Sequence, residues 1–404
     1  MNQHRSVCNG RWWRTCGWAA RGVIVSVRPG FRERGRCGIC RRRCPGYDNG
    51  DGRRSWRALD LGSTFCFLEA DAPRVNCRRH DVVVAAVPWA RHDSRFTRVF
   101  EDQVAWLACR CSKTAVSELM RVAWRSVRGI LERVADEARR NVDLLDGLKR
   151  IGIDEISHRK GQRYLTIVVN HHTGRLVWAG AGRDRKTVLA FFDALGEERC
   201  KQTELVSCDM ASWIAGPVAE RCPGAVRCVD PFHVIQFATD ALDQVRREVW
   251  NEARRQGNME LARDLKGARF AVSKNPENLT DRQQAKLAEI QKTNGPLYPA
   301  YLLKEQLRQI YRVSAKQAEQ LLEQWLAWAR RSRLPSFVKL ARTITAQRNG
   351  ILSAVTNGLS NARIEQMNTQ IRLLARQAFG FQSPRRLIAL AMLKLAGLCP
   401  PLPR

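Results

Sequence analysis

The chain has 404 residues, with 69 Lys and Arg against 39 Asp and Glu, and a formal net charge of +30. Apolar residues make up 44%, which excludes wholesale disorder and, at one domain per roughly 100–200 residues, predicts two to four domains. So large a cationic excess needs a polyanionic counter-surface, and because no apolar run approaches the roughly 18–20 residues of a spanning helix, nucleic acid is favoured over membrane.

The first thirty residues hold Trp12, Trp13 and scattered arginines without the continuous apolar core of a secretory signal. A cytoplasmic protein is expected, on nucleoid DNA in a bacterial source. In a reducing compartment the spacing of the fourteen cysteines matters more than their number. Cys37-Gly-Ile-Cys40 and Cys77-Arg-Arg-His80 are pairs with two-residue spacers. Such tight turns can aim four ligands at one zinc ion. Cys44 or Cys66 could replace one ligand, and buried free thiols beside an exposed histidine are the plainer reading. Between the pairs, Tyr47, Trp56 and the stretch from Thr64 to Ala70 read as short strands, which suits a small metal-stapled ribbon.

From Phe96 to about Arg140 the apolar period changes from two to 3.6. Phe100, Val104 and Leu107 form one helical face, Ser112 can cap a short helix carrying Val116, and a third helix carries Val127, Ile130, Leu131 and Val134. This outline is that of a helix-turn-helix, with Arg121, Trp124, Arg125 and Arg128 at the start of its recognition helix. An ordinary three-helix bundle with a solvated basic face fits the same pattern.

The next stretch changes class. Ile151-Gly-Ile-Asp154-Glu155 is an apolar run ending in carboxylates, and Tyr164–Asn170 and Arg175–Ala179 read as two further strands joined by the turn His171-His-Thr-Gly174. A helix over about 186–195 leads to Glu204-Leu-Val-Ser-Cys-Asp209, and Ala225-Val-Arg-Cys-Val-Asp230 repeats the pattern. Together these segments predict an α/β sheet with acids at its strand ends, where such folds place their sites. Single aspartates there often only cap the next helix. Two on neighbouring strands in a cationic protein point to Mg²⁺ and phosphodiester chemistry. A third acid is offered by Asn361-Ala-Arg-Ile-Glu365-Gln-Met-Asn368, where Asn361, Glu365, Asn368 and Arg372 share one polar helical face.

Asp154 in Gly-Ile-Asp-Glu, Asp209 in Ser-Cys-Asp-Met and Glu365 in Asn-x-x-x-Glu-x-x-Asn resemble the acid triad of the ISL-three family of insertion-sequence transposases. The resemblance runs from about Arg36 to Pro400 and includes Tyr47-Asp48, Arg54-x-Trp56-Arg57, Val87-Pro-Trp-Ala90 and Arg376-x-Ala-Phe-Gly-Phe381. It implies an RNase H-like, retroviral-integrase-like catalytic domain with an all-α insertion, preceded by a zinc ribbon and a helix-turn-helix.

The domains so implied are a divergent segment 1–35, a zinc ribbon 36–95, a helix-turn-helix 96–145, a first core segment 146–235, a helical insertion 236–345 and C-terminal core helices 346–404. Residues 1–35 do not show the alternating strand expected before the zinc knuckle. Asp230-Pro-Phe-His233 resembles the family's C/D-x-x-H motif, so Asp230 and His233 are carried over as site-associated, with a strand-end cap and a structural histidine as the alternative.

The resemblance implies Mg²⁺ (or Mn²⁺) held by Asp154, Asp209 and Glu365, and strand cleavage and transfer on double-stranded DNA by a homodimer or larger synaptic assembly. The three carboxylates are expected within a few Å of one another, Glu365 somewhat farther without a cation, and Glu155 is expected merely to border the site. A DNA-binding regulator whose core has lost activity is the competing reading.

Overall fold

The computed structural model describes residues 13–19, 22–159, 163–358, 362–377 and 383–402. Trp12, Asn361 and the segment 378–381 singled out above lie outside the described residues. The chain divides into two units, Met1–Leu144 with Ile371–Arg404, and Leu145–Gln370.

The first unit opens on an antiparallel hairpin of β1 (Trp13–Ala19) and β2 (Gly22–Val27). An alternating strand therefore does precede the knuckle. Val23, Val25 and Val27 are buried, and Ile24 on the opposite face hides the period of two in the sequence. The ribbon continues with β3 (Gly46–Asp48), β4 (Arg53–Arg57), β5 (Cys66–Asp71), β6 (Arg74–Cys77) and β7 (Asp81–Val84). They form two small sheets, ordered β1-β2-β5-β4 and β3-β6-β7. The ribbon's core is slight: Val23, Val25, Val27, Trp56, Ala70, Ala72, Val87 and Ala90. A domain with so few buried side chains depends on a further staple.

Three helices follow, α1 (Arg98–Ala108), α2 (Lys113–Leu119) and α3 (Trp124–Asn141). Thr97 caps α1 through the Phe100 N–H at 3.3 Å, and Ser112 caps α2 through the Ala115 N–H at 3.2 Å. Phe100, Val104, Val116, Val127, Ile130 and Leu131 are buried between them. The buried Glu101 accepts from Arg133 at 2.6 Å and Ser94 at 2.7 Å, while Arg91 joins Glu101, Asp102 and Glu137. This charge network ties the helices to the segment that leaves the ribbon.

The second unit begins with β8 (Arg150–Arg159), β9 (Arg163–Asn170) and β10 (Leu176–Ala181), an antiparallel meander. Gly174, at φ +68, supplies the left-handed residue of the turn between β9 and β10. Then come α4 (Arg185–Leu195), α5 (Glu197–Gln202), β11 (Leu205–Cys208), α6 (Ser212–Arg221) and β12 (Val226–Val229). The sheet order is β10-β9-β8-β11-β12, with β8, β11 and β12 parallel. Five consecutive residues of β9, Leu165–Val169, and all of β11 are buried, as expected where both faces of a sheet are covered.

From β12 the chain is almost wholly helical: α7 (Pro231–Arg255), α8 (Met259–Gly267), α9 (Arg269–Ser273), α10 (Asp281–Thr293), α11 (Leu297–Gln309), α12 (Ala315–Arg331), α13 (Pro335–Ala346) and α14 (Arg348–Thr356). Their shared core includes Leu242, Leu303, Leu307, Leu322, Trp325 and Phe337. The next helix, α15 (Ala362–Gln377), starts in this unit. The last, α16 (Pro384–Leu395), belongs to the first unit and packs on α3, with Arg386 3.4 Å from Glu132 and Arg385 3.0 Å from Asp136. The expected block 346–404 is thus divided at residue 371, because the apolar face of α16 is buried in the unit that holds α3. Among the described residues no helix is long and apolar enough to cross a membrane.

Candidate active site and nucleic-acid interface

Strand register sets the acids in a row. β11 pairs with β8 as Leu205↔Arg150, Val206↔Ile151 and Ser207↔Gly152, so continuing by two residues sets Asp209 beside Asp154. β12 pairs with β11 up to Cys208↔Val229, and the Asp230 N–H donates to the Cys208 carbonyl at 2.9 Å. The next residues in register are Asp209 and Asp230. Three carboxylates therefore stand side by side where β11 and β12 end, although Asp154 lies within β8, which runs on to Arg159 instead of ending at its carboxylates because it stays paired with β9.

Each is held by local hydrogen bonds. Asp154 Oδ1 accepts from the Glu155 N–H at 2.8 Å, Asp209 Oδ1 from the Ala211 N–H at 2.8 Å, and Asp230 Oδ1 from the Phe232 N–H at 2.9 Å, where it caps α7. Asp154 Oδ2 accepts from Asn368 Nδ2 at 2.7 Å. That bond links the row to α15, and Gly152 makes the approach possible: a Cβ there would lie 2.3 Å from Ile364 Cδ1 and 2.9 Å from His171 Nε2. Glu365 follows Ile364 on α15, is exposed, and its charge acts on Asp230. His233 Nε2 stands 3.5 Å from Asp230 Oδ2 and 3.9 Å from Asp154 Oδ1.

Crowding of like charges out of water shifts the ionisations. Burial pushes the Asp230 carboxyl up to about 7, with the charges of Asp154 and Glu365 adding to it. Glu155 also rises to about 7, through burial and then Asp209 and Asp154, and Asp209 is raised by burial. His233 is lifted to about 9, chiefly by its hydrogen bond to Asp154. Glu155 is thus half-buried and within reach of the charges of Asp209 and Asp154. Arg183, in the turn before α4, pairs with it at 3.0 Å. Neither Arg183 nor Gly152 carries a local sequence signal, since each is defined by a partner distant in the chain.

The donor set is made of oxygens, which suits a hard cation such as Mg²⁺. Two buried oxygens in it, Glu155 Oε2 and Asn368 Oδ1, have no hydrogen-bond partner. Among the described residues, however, only Cys37, Cys40, Cys77 and His80 bring their ligand atoms all within 4.8 Å of one another. Asp154, Asp209 and Glu365 do not form so tight a set.

In the ribbon, Cys40 Sγ lies 3.8 Å from Cys77 Sγ, and His80 Nδ1 lies 3.6 Å from both Cys37 and Cys77. Bonds of about 2.3 Å in a tetrahedron give edges of about 3.8 Å, so the spacing matches zinc. Backbone N–H groups of Arg79 and His80 help pull the Cys77 thiol down to about 6, toward the thiolate a metal needs. Cys44 borders the set, its thiol pushed up by desolvation and then by a hydrogen bond with Cys77, whereas the Cys66 thiol is pushed up by burial and then by Cys16, outside the set.

On the helix-turn-helix, the candidate cations separate. Arg121 is not on α3: it sits in the turn with φ +53. Its guanidinium reaches Asp60 at 3.1 Å, the Ser63 carbonyl at 2.7 Å and the face of Phe65 at 3.7 Å. It is a structural tie to the ribbon, formed because the short α2–α3 turn aims it backward. Arg125 and Arg128 lie on the first turns of α3, and Arg128 stacks 3.4 Å over the Trp124 ring.

Residues 151–391 match a transposase family model, residues 85–135 the helix-turn-helix domain of transposase family ISL3, and residues 33–80 the zinc-finger of transposase IS204/IS1001/IS1096/IS1165. The chain belongs to the ISL3 family of transposases. The transposase for insertion sequence element IS1557 of Mycobacterium tuberculosis, in strains CDC 1551 / Oshkosh and ATCC 25618 / H37Rv, is 53% identical over 94% of this chain and 90% of its own length. The transposase for insertion sequence element IS1001 of Bordetella parapertussis is 25% identical over 73% of this chain and 72% of its own. A zinc ribbon with a Cys₃His set and a helix-turn-helix are therefore family features of this chain.

Proposed function

We propose that this ISL3-family chain is a DDE transposase that binds the ends of its insertion sequence and carries out strand cleavage and strand transfer through an RNase H-like core. The observation that carries the reading is the row Asp154, Asp209 and Asp230 across three neighbouring strands, with the Asn368 and Glu365 helix closing over it. A meander of three strands continued by two parallel ones supports the fold assignment, and the helices from α7 to α13 form its insertion.

Asp154, Asp209 and Glu365 would hold Mg²⁺ (or Mn²⁺), which would polarise the phosphodiester and offset the charge that develops on its oxygens. Asn368 orients Asp154. His233, protonated at neutral pH, keeps Asp154 and Asp230 from repelling each other. Water attacks the phosphodiester at the element's end and leaves a 3′-hydroxyl and a 5′-phosphate; that 3′-hydroxyl then attacks a target phosphodiester, forming a new bond to its phosphorus and releasing the target strand's own 3′-hydroxyl. Cys37, Cys40, Cys77 and His80 hold zinc, and Arg125 and Arg128 contact the terminal inverted repeats in a homodimer or larger synapse.

The test uses a duplex carrying the inverted repeat from the DNA flanking the gene, with Mg²⁺ and a supercoiled plasmid target. A nick at the repeat followed by joining to plasmid is the expected result. Binding without cleavage would make the chain a regulator, and cleavage without joining a nuclease.

A further inference from the structure

The residue next to the acid row that the reading above does not use is Phe232. It is the second residue of α7, after Pro231, and its N–H is fixed to Asp230 Oδ1. Its ring meets the His233 ring edge-on at 5.7 Å, and His233 faces both Asp154 and Asp230. Yet Phe232 is 51% exposed, while Val234, Ala238 and Leu242 on the same helix are sunk in the helical core. A large apolar ring is thus held on a short, rigid tether beside the carboxylates, turned outward and absent from the core.

We propose that Phe232 is a stacking platform for an unpaired nucleobase adjacent to the scissile phosphate. The inference rests on the transposase reading and extends it to how the DNA end is held. If a phosphodiester lies at Asp154 and Asp209, the planar apolar group nearest to Phe232 is the base of the same or the next nucleotide. An aromatic face accepts any base, because every base has a π-face, and such stacking, set against the cost of unpairing the base, shifts the bound end toward the flipped nucleotide by about 5- to 150-fold. Inside a duplex that face is covered by neighbouring bases, so the platform requires the nucleotide to leave the stack, which is easiest where pairing is already broken. A partner protein would meet the same ring only by covering the acid row.

The experiment places 5-iododeoxyuridine, one position at a time, in the nucleotides flanking the cleavage site of the flanking-repeat duplex, and maps photo-crosslinks by mass spectrometry. Crosslinking to Phe232 from one or two adjacent positions is expected, retained in Phe232→Tyr and lost in Phe232→Leu. Cleavage of the paired end should fall about 10- to 100-fold in Phe232→Ala and Phe232→Leu with gel-shift affinity for the full repeat nearly unchanged. A mismatch at the crosslinking base should recover much of the loss. Phe232→Tyr should stay within a few-fold of wild type. Wild-type cleavage rates in Phe232→Leu, or an unaltered crosslink pattern in Phe232→Ala, overturn the platform alone. So does a change in oligomeric state of Phe232→Ala without DNA, which would mark a contact between copies. Wild-type protein that neither binds nor cuts the duplex overturns the transposase reading and the platform with it.

Discussion

Gly152 controls how closely α15 can approach the acid row, so Gly152→Ala is the sharpest perturbation of the site that touches no carboxylate. The new Cβ would stand 2.3 Å from Ile364 Cδ1 and 2.9 Å from His171 Nε2, where ordinary contact begins at 3.4 Å. The shortfall at Ile364 is about 1 Å. His171 cannot yield readily, because it is buried and shares a 2.7 Å hydrogen bond with Ser207. Ile364 is itself buried and has little room to turn its side chain aside, so the helix gives instead, carrying Glu365 and Asn368 with it. Overpacking of this kind costs about 1–3 kcal/mol, and a misplacement of about 1 Å at a reacting centre costs about 100-fold in rate.

DNA cleavage and DNA binding are measured side by side, with thermal unfolding as a control. Gly152→Ala should lose about two orders of magnitude in cleavage and still shift the repeat duplex. Ile364→Val deletes the clashing carbon, so the double variant should recover at least tenfold, a coupling that a thermodynamic cycle isolates. Cleavage by Gly152→Ala at the wild-type rate, or no recovery in the double variant, would refute the idea that the glycine sets the distance of α15 from Asp154.

Other expectations follow from the remaining sites. Purified protein should contain about one zinc per chain, lost in Cys40→Ser and kept in Cys222→Ser by metal analysis; a Cys44→Ser variant as damaged as Cys40→Ser would mean that the ligand set is different. Arg125→Ala and Arg128→Ala should weaken binding to the repeat by about 1–3 kcal/mol with relaxed sequence preference, whereas a uniform loss with a shallower salt slope would make them phosphate contacts. Burial first, then the charges of Arg363 and Arg150, depress His171 from 6.5 to about 4. The unfolded chain then takes a proton that the folded chain refuses, so stability falls as pH drops from 6.5 towards 4, by up to about 3 kcal/mol. Acid-melting curves of His171→Gln should lack that part of the loss, and identical curves would remove His171 as its source.

The site was legible in the sequence where its signals were local. An apolar run closing on Asp209 or Asp230 announces a strand end, whereas at Asp154 the strand runs on to Arg159, and the polar face holding Glu365 and Asn368 announces a helix turned to something other than a core. The two-residue spacers of the zinc set are equally local. What escaped depends on distant partners. Arg121 reads as one more cation at a helix start, and only the fold sets it against Asp60 and Phe65. Glu155 reads as a mere neighbour of the important acid, and only the fold buries it and pairs it with Arg183. The strand β2 was hidden because Ile24 is apolar on the less buried face. The allegiance of α16 could not be read at all, because an apolar helix face does not declare which core will cover it.

The most direct test of the whole account separates binding from chemistry at the three acids. Asp154→Ala, Asp209→Ala and Glu365→Ala are each assayed for gel shift and for Mg²⁺-dependent cleavage of the flanking-repeat duplex. All three should shift the duplex as the wild type does and leave it uncut, since the ribbon and helix-turn-helix are intact while the cation site is broken. Wild-type cleavage by Glu365→Ala would remove the third acid, and cleavage by Asp154→Ala or Asp209→Ala would contradict the assignment of the acid row as the active site.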